Sequence, residues 1–187
     1  PLTYLGDPLS IIRVWEGGMS FHGGFLGVVL AVYLFARRHK VPLAPLSDRI
    51  ALVAPLGLLF GRLANFINGE LYGRITTHPI GIIFPNGGPL PRHPSQLYEA
   101  GLEGLLLGLV MMMAWRAKWY ERYVGIFAGL FLTGYGTSRF IIEYFREPDS
   151  HIGLYEFMSL SHGQLLSLPM IVLGVLIMVR IFKKQAV

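Results

Sequence analysis

The chain has 187 residues, 53% hydrophobic and only 14% charged, with no cysteine, a formal net charge of +5 and a mean hydropathy of +0.52. An ordinary soluble domain, with about a quarter of its residues charged, is excluded; so are a disulfide framework, a thiolate nucleophile and a thiolate metal site. Apolar runs approaching the roughly 20 residues that cross a bilayer point to an all-α polytopic membrane protein, because a helix satisfies its own backbone in lipid.

The first residues, "PLTYLGDPLS", contain no initiator Met and no signal peptide, so a fragment or processed form is expected. Five spans follow: Phe21–Phe35, Ile50–Ile67, Leu97–Trp115, Val124–Phe145 and Leu165–Phe182. Alternating them across a membrane collects "ARRHK", Arg49, "RAKWYER" and "RIFKK" on one side, with ten of the sixteen basic residues. By the positive-inside rule that side is the cytoplasm, the N-terminus lies outside and the C-terminus inside. The net charge thus records topology and needs no nucleic acid to explain it. The other six basic residues are all arginine: Arg13, Arg62, Arg74, Arg92, Arg139 and Arg146. A guanidinium fork grips phosphate or carboxylate through paired hydrogen bonds, which a lysine cannot do.

In chain order, "MSFHGG" puts His22 at the outer entrance of the first span, beside glycines that leave room for a ligand. An imidazole there is a candidate general base. The second span ends in "GRLANFINGE", where Arg62 and Asn65 share a helical face and Asn68 and Glu70 continue past its end. An arginine within a span costs about 2.5–3.5 kcal/mol on insertion scales and by default marks a functional site. A structural Arg62–Glu70 pair is the alternative. Residues 71–96 form an extracytoplasmic segment dense in Pro and Gly, read as an ordered loop or small two-stranded arm. His93, just before the third span, is a weaker substrate-contact candidate, and Ser95 or Gln96 is expected to cap that helix. His78, His151 and His162 read as surface residues.

The third span carries Met111–Met113, expected to face lipid, and the following Trp115, Trp119, Tyr120 and Tyr123 read as an interfacial belt. Near the end of the fourth span Tyr135, Arg139, Glu143 and Arg146 recur at spacings of four, four and three, one stripe on one face. Arg139 and Glu143 could pair with each other, and Arg146 with Glu147 or Asp149. Both arginine groups arrive at the outer side of the bilayer. Gly23/Gly27, Gly57/Gly61, Gly104/Gly108 and Gly125/Gly129 are Gly-x-x-x-Gly pairs, read as helix packing faces. No histidine spacing of the HExxH kind occurs, and neither a metal nor a cofactor is expected.

These parts permit anion handling at the outer leaflet with proton transfer nearby, the attacking nucleophile coming from a second substrate. A lipid or anion transporter would instead extend its polar residues toward the cytoplasmic ends, where Val28–Phe35 and Leu105–Met113 are apolar. A non-catalytic assembly subunit would give His22, Arg62 and Arg139 no reason to gather.

"GRLANFINGELYG" (61–73) resembles the signature of bacterial prolipoprotein diacylglyceryl transferases, G-R-x-[GA]-N-F-x-N-x-E-x-x-G, and matches every specified position. "RVWEGGMSFHGG", "LPRHPSQLYE", "GYGTSRFIIEYFREPD" and "GQLLSLPMIV" are similar to further family blocks, in the family's order. The resemblance implies a bacterial inner-membrane transferase acting at the periplasmic leaflet. Such enzymes move the diacylglyceryl group of phosphatidylglycerol onto the lipobox cysteine thiol of a prolipoprotein, making a thioether and releasing glycerol phosphate. It implies His22 as base, Arg62 and Arg139 as phosphate contacts, and Asn65 as a headgroup-orienting residue. Asn68, Glu70 and Gly73, with Tyr135, Glu143 and Arg146, match the rest of the lipid site. It also implies about seven spans, with further N-terminal ones preceding this chain.

Overall fold

In the computed structural model the described residues are 21–147, 154, 155 and 160–185, with the side chains of 21–23, 25, 26, 154, 155 and 162 outside that description. The chain divides into two compact units between Leu43 and Ala44. Helix α1 (Phe21–His39) belongs to the first and closes on Arg37, Arg38 and His39, cations that suit the negative end of a helix.

Among its described residues the second unit consists of helices, one short hairpin and an irregular segment, 68–94, tied by isolated bridges. Helix α2 spans Leu43–Ile67, α3 Ser95–Arg116, α4 Trp119–Arg122, α5 Ile126–Ile142 and α6 His162–Gln185. Strands β1 (Leu154–Tyr155) and β2 (Leu160–Ser161) pair antiparallel, Leu154 opposite Ser161. Helices α2, α3 and α6 contain stretches long and apolar enough to cross a membrane, and α5 is a shorter apolar helix. The five expected spans therefore all fall on helices, with a count of five only approximate; α2 starts seven residues earlier than Ile50, and α5 is trimmed at both ends.

The exterior is strongly apolar, and the interior mixes large apolar side chains with buried polar and charged ones. Leu56, Phe60, Leu109, Met113, Leu173 and Leu176 are all more than half exposed, a surface suited to lipid tails. Inside, Ala51, Leu107, Met111, Ala114, Ile126 and Phe127 form the core cluster. Met111 is fully buried, so the expectation that all of Met111–Met113 faces lipid fails at its first member. An unbranched thioether fills the gap between α2, α3 and α5.

Glycine sets two close approaches. A Cβ on Gly104 of α3 would lie 2.7 Å from Leu59 Cα of α2, and one on Gly129 of α5 only 3.1 Å from the Gly174 carbonyl of α6. Gly104/Gly108 and Gly125/Gly129 are thus packing faces as expected, whereas Gly57 and Gly61 meet nothing among the described residues. Between Glu99 and Leu107, α3 widens into a π-helical stretch, Ala100–Leu106, a departure that costs hydrogen-bond geometry and concentrates at functional positions.

Asp48 in the first turns of α2 is buried and accepts hydrogen bonds from the amides of Gly125 (2.6 Å) and Ala128 (3.0 Å). A residue 77 positions upstream therefore caps α5, whose entry glycine has φ +94°. At the other end of α2, Gly69 (φ +67°) and Leu71 (φ +55°) turn the chain sharply. The amides of Asn68, Gly69 and Glu70 close back on the carbonyls of Ala64, Phe66 and Asn65.

Candidate functional site

Arg62 lies one turn from the C-terminus of α2, Glu99 and Glu103 near the start of α3, and Arg139 near the end of α5, followed by Glu143 and Arg146. These helices run alternately up and down, so all six side chains meet at one end of the unit. Glu99 is the hub: its Oε1 accepts from Arg139 Nη1 at 2.8 Å and Arg146 Nη1 at 2.7 Å. Arg62 Nε faces its Oε2 at 3.1 Å, near enough for an ion pair but not aligned as a hydrogen bond. Arg139 Nη2 also reaches Glu143 Oε2 at 3.2 Å, and Arg146 Nε lies 3.7 Å from the same oxygen. Arg62 Nη2 stands 3.6 Å from Glu103 Oε2.

The layering is consistent. The side chains of Glu99 and Glu103 are wholly enclosed and that of Glu143 is 8% exposed, while Arg62, Arg139 and Arg146 keep 17%, 19% and 13% of their surface. The carboxylates are thus more deeply enclosed than the arginine side chains that pair with them. Three cations and three anions of low exposure hold one another where isolated charges would be costly.

The remaining signature residues continue from this cluster. With its amide nitrogen turned toward them, Asn65 donates to Glu70 Oε1 and the Gly61 carbonyl, both at 3.2 Å. Asn68 Nδ2 reaches the same Glu70 oxygen at 3.4 Å. Gly73 pairs with Arg146 in an isolated bridge and donates its amide to His93. A Cβ there would collide with the Phe145 carbonyl and lie 2.9 Å from His93 Cβ, so only glycine lets this backbone pass. Tyr135, one turn before Arg139, stacks on Phe131 and packs against the core.

Some expectations change here. Arg62 pairs with Glu99 and Glu103 in place of Glu70. Glu147 pairs with Arg92 (2.5 Å) and not with Arg146, which turns inward to Glu99. Ser95 and Gln96 do not cap α3: the hydroxyl donates to the Leu71 carbonyl (3.1 Å) and the amide to that of Glu70 (2.6 Å), tying the loop after α2 to the helix. His93 Nδ1 contacts the Tyr98 hydroxyl at 3.1 Å, and its ring meets Phe145 edge-on, outside the ion-pair cluster. Burial holds the His93 imidazole below its ordinary range, with the His78 charge acting in the same direction. The His22 side chain, His151, Asp149 and Arg13 lie outside the described residues.

Glu99 and Glu103 were absent from the residues singled out in the sequence. Their signal was present, as two acids four apart within an apolar run, where any ionisable residue calls for a reason. Arg74 and Arg92, by contrast, knit the segment between α2 and α3. Arg74 Nε donates to the Arg146 carbonyl (2.6 Å), and Arg92 Nε to that of Gly87 (2.9 Å), its guanidinium lying over the Tyr72 ring.

Helices of this length and surface, around a charge cluster confined to one end, define a multi-pass membrane protein with an arginine–carboxylate site. The chain belongs to the prolipoprotein diacylglyceryl transferase family, whose model matches residues 2–180. It is 53% identical over 185 residues to the phosphatidylglycerol–prolipoprotein diacylglyceryl transferase of Idiomarina loihiensis, covering 97% of this chain and 66% of that protein. To that of Rhodospirillum rubrum it is 54% identical over 177 residues (94% and 64%), and to that of Vibrio cholerae 49% over 184 (97% and 65%). The chain thus spans just under two thirds of the length of these curated relatives.

Proposed function

We propose that this chain carries the chemistry for which its relatives are named: transfer of the diacylglyceryl group of phosphatidylglycerol to the lipobox cysteine of a prolipoprotein, the first step of lipoprotein maturation. The observation that carries the reading is the convergence of Arg62, Arg139 and Arg146, three partly exposed arginines held by enclosed carboxylates. Such a set is preorganised for a phosphodiester and for the additional charge that develops on the phosphate as it leaves.

In this mechanism the cysteine sulfur attacks the glyceryl carbon bonded to the phosphate oxygen. A C–S bond forms, the C–O bond breaks, and its electron pair departs on glycerol phosphate. The thiol, ordinarily near pKa 8.5, attacks as thiolate and gives its proton to His22. Arg62 and Arg139 hold the phosphate, and Arg146 completes the charge complement. Asn65, Asn68 and Glu70 orient the glycerol headgroup, while Gly73, Tyr135 and Glu143 shape the chamber. His93 is assigned to the wall of the loop that borders it. No metal or cofactor takes part in these steps. The site faces the periplasmic leaflet of a bacterial inner membrane, with the N-terminus of this chain outside and its C-terminus inside.

A transporter path finds no support at the opposite end of the helices. The buried carboxylate there, Asp48, lies fourteen residues before Arg62 on α2, about 21 Å by helical rise, and both its oxygens are committed to backbone amides. The test supplies the full-length protein with phosphatidylglycerol and a lipobox peptide and follows the diacylglyceryl adduct and glycerol phosphate by mass spectrometry. Arg62→Ala and His22→Ala are expected to abolish the adduct while the protein still inserts. Undiminished product from Arg62→Ala would remove the phosphate role given to it.

A further inference from the structure

Of the three carboxylates in the cluster, Glu103 is the least satisfied. Glu99 is held by three arginines and Glu143 by two. Among the described residues Glu103 pairs only with Arg62, across 3.6 Å, and neither of its oxygens accepts a hydrogen bond although the side chain is wholly enclosed. A buried carboxylate in that condition is a standing cost, and the surrounding helix sequence, Ala100–Leu106, is otherwise glycine, alanine and leucine. Its neighbours are charged or polar from each element around it: Arg62 on α2, Glu99 on its own helix, Tyr135, Arg139 and then Arg146 from α5 and its end.

Arg62 divides between two partners. Its Nε stays with Glu99 at 3.1 Å, while the terminal Nη2 makes the long contact to Glu103. The Nη edge is therefore the part of this guanidinium that can change partner without leaving the hub. Transfer turns a phosphodiester monoanion into a phosphate monoester of greater charge, so three unopposed arginines would retain the product more tightly than the substrate.

We propose that Glu103 is a resident competitor for the terminal edge of Arg62, a positioning residue that yields Nη2 to the phosphate of an arriving lipid and reclaims it as glycerol phosphate departs. The inference rests on the transfer reading above. Glu103 makes no bond to substrate; it sets how firmly Arg62 holds an anion.

The experiment measures initial rates of thioether formation by the full-length protein in mixed micelles, over a range of phosphatidylglycerol and with added glycerol phosphate. Glu103→Gln keeps the shape and removes the competing charge. It is expected to lower the lipid KM and the inhibition constant of glycerol phosphate, each by about tenfold, and to lower kcat because release slows. Glu103→Asp, a methylene shorter, falls between wild type and Glu103→Gln on all three. A structural role alone would lower activity without tightening either anion. Constants unmoved or weakened in Glu103→Gln overturn the proposal while leaving the transfer reading intact. Should Glu103→Gln not accumulate in the membrane, the Asp variant decides, and wild-type constants in it likewise overturn the proposal. A wild-type protein that forms no adduct removes the transfer reading and this inference with it.

Discussion

Glu99 is wholly enclosed, yet three guanidiniums converge on it, from α2, from α5 and from the bridged segment that follows α5. Removing one partner of a buried ion set leaves the others uncompensated, which is worse than never having built the set. Glu99→Ala is therefore expected to destabilise the fold by about 3–5 kcal/mol, read as a lowered unfolding midpoint in detergent. Glu99→Gln, which keeps the volume and an acceptor oxygen, should lose less; equal midpoints for the two variants would deny the hub its charge role. The arginines of this cluster were legible in the sequence because a cation in an apolar run is conspicuous. Their partners were not, because pairing is decided by which helices become neighbours.

That neighbourhood is set by helix contacts. The α2–α3 crossing is fixed where Gly104 meets the Leu59 backbone, only three residues before Arg62 and one after Glu103. Gly104→Ala forces a methyl to within 2.7 Å of Leu59 Cα, and overpacking of this kind costs about 1–3 kcal/mol. Because the crossing also sets the Arg62–Glu103 spacing, the proposed transfer should be impaired in this variant even where the fold is intact, as read by assaying folded full-length protein well below its unfolding midpoint. Activity retained at the wild-type level would show that the site tolerates movement of the crossing. The Gly-x-x-x-Gly spacing marked Gly104 as a packing position, but which backbone it admits is a property of the assembled pair. The π-helical stretch between Glu99 and Leu107 left no periodicity to read, since one widened turn shifts the apolar pattern by less than one residue.

Within the second unit Lys118, Lys183 and Lys184 lie toward the end of the helices opposite the arginine–carboxylate cluster. The absence of cysteine from these 187 residues makes the proposed orientation testable by single introduced cysteines. Asn86→Cys, exposed in the loop before α3, should react with a membrane-impermeant maleimide on intact spheroplasts. Ala117→Cys, exposed at the far end of α3, should react only after permeabilisation. The opposite pattern would invert the site to the cytoplasmic face.

Membrane class and approximate helix positions were readable along the chain, because lipid demands long apolar runs whatever their neighbours and because "GRLANFINGELYG" is a local pattern. Pairing was settled by folding: Arg62 with Glu99 and not Glu70, Arg92 with Glu147, Asp48 at the head of a helix 77 residues away, and Ser95 and Gln96 as ties to the preceding loop. A linear chain shows what each side chain can offer, whereas which partner accepts depends on distances of a few ångströms between segments that sequence order keeps far apart.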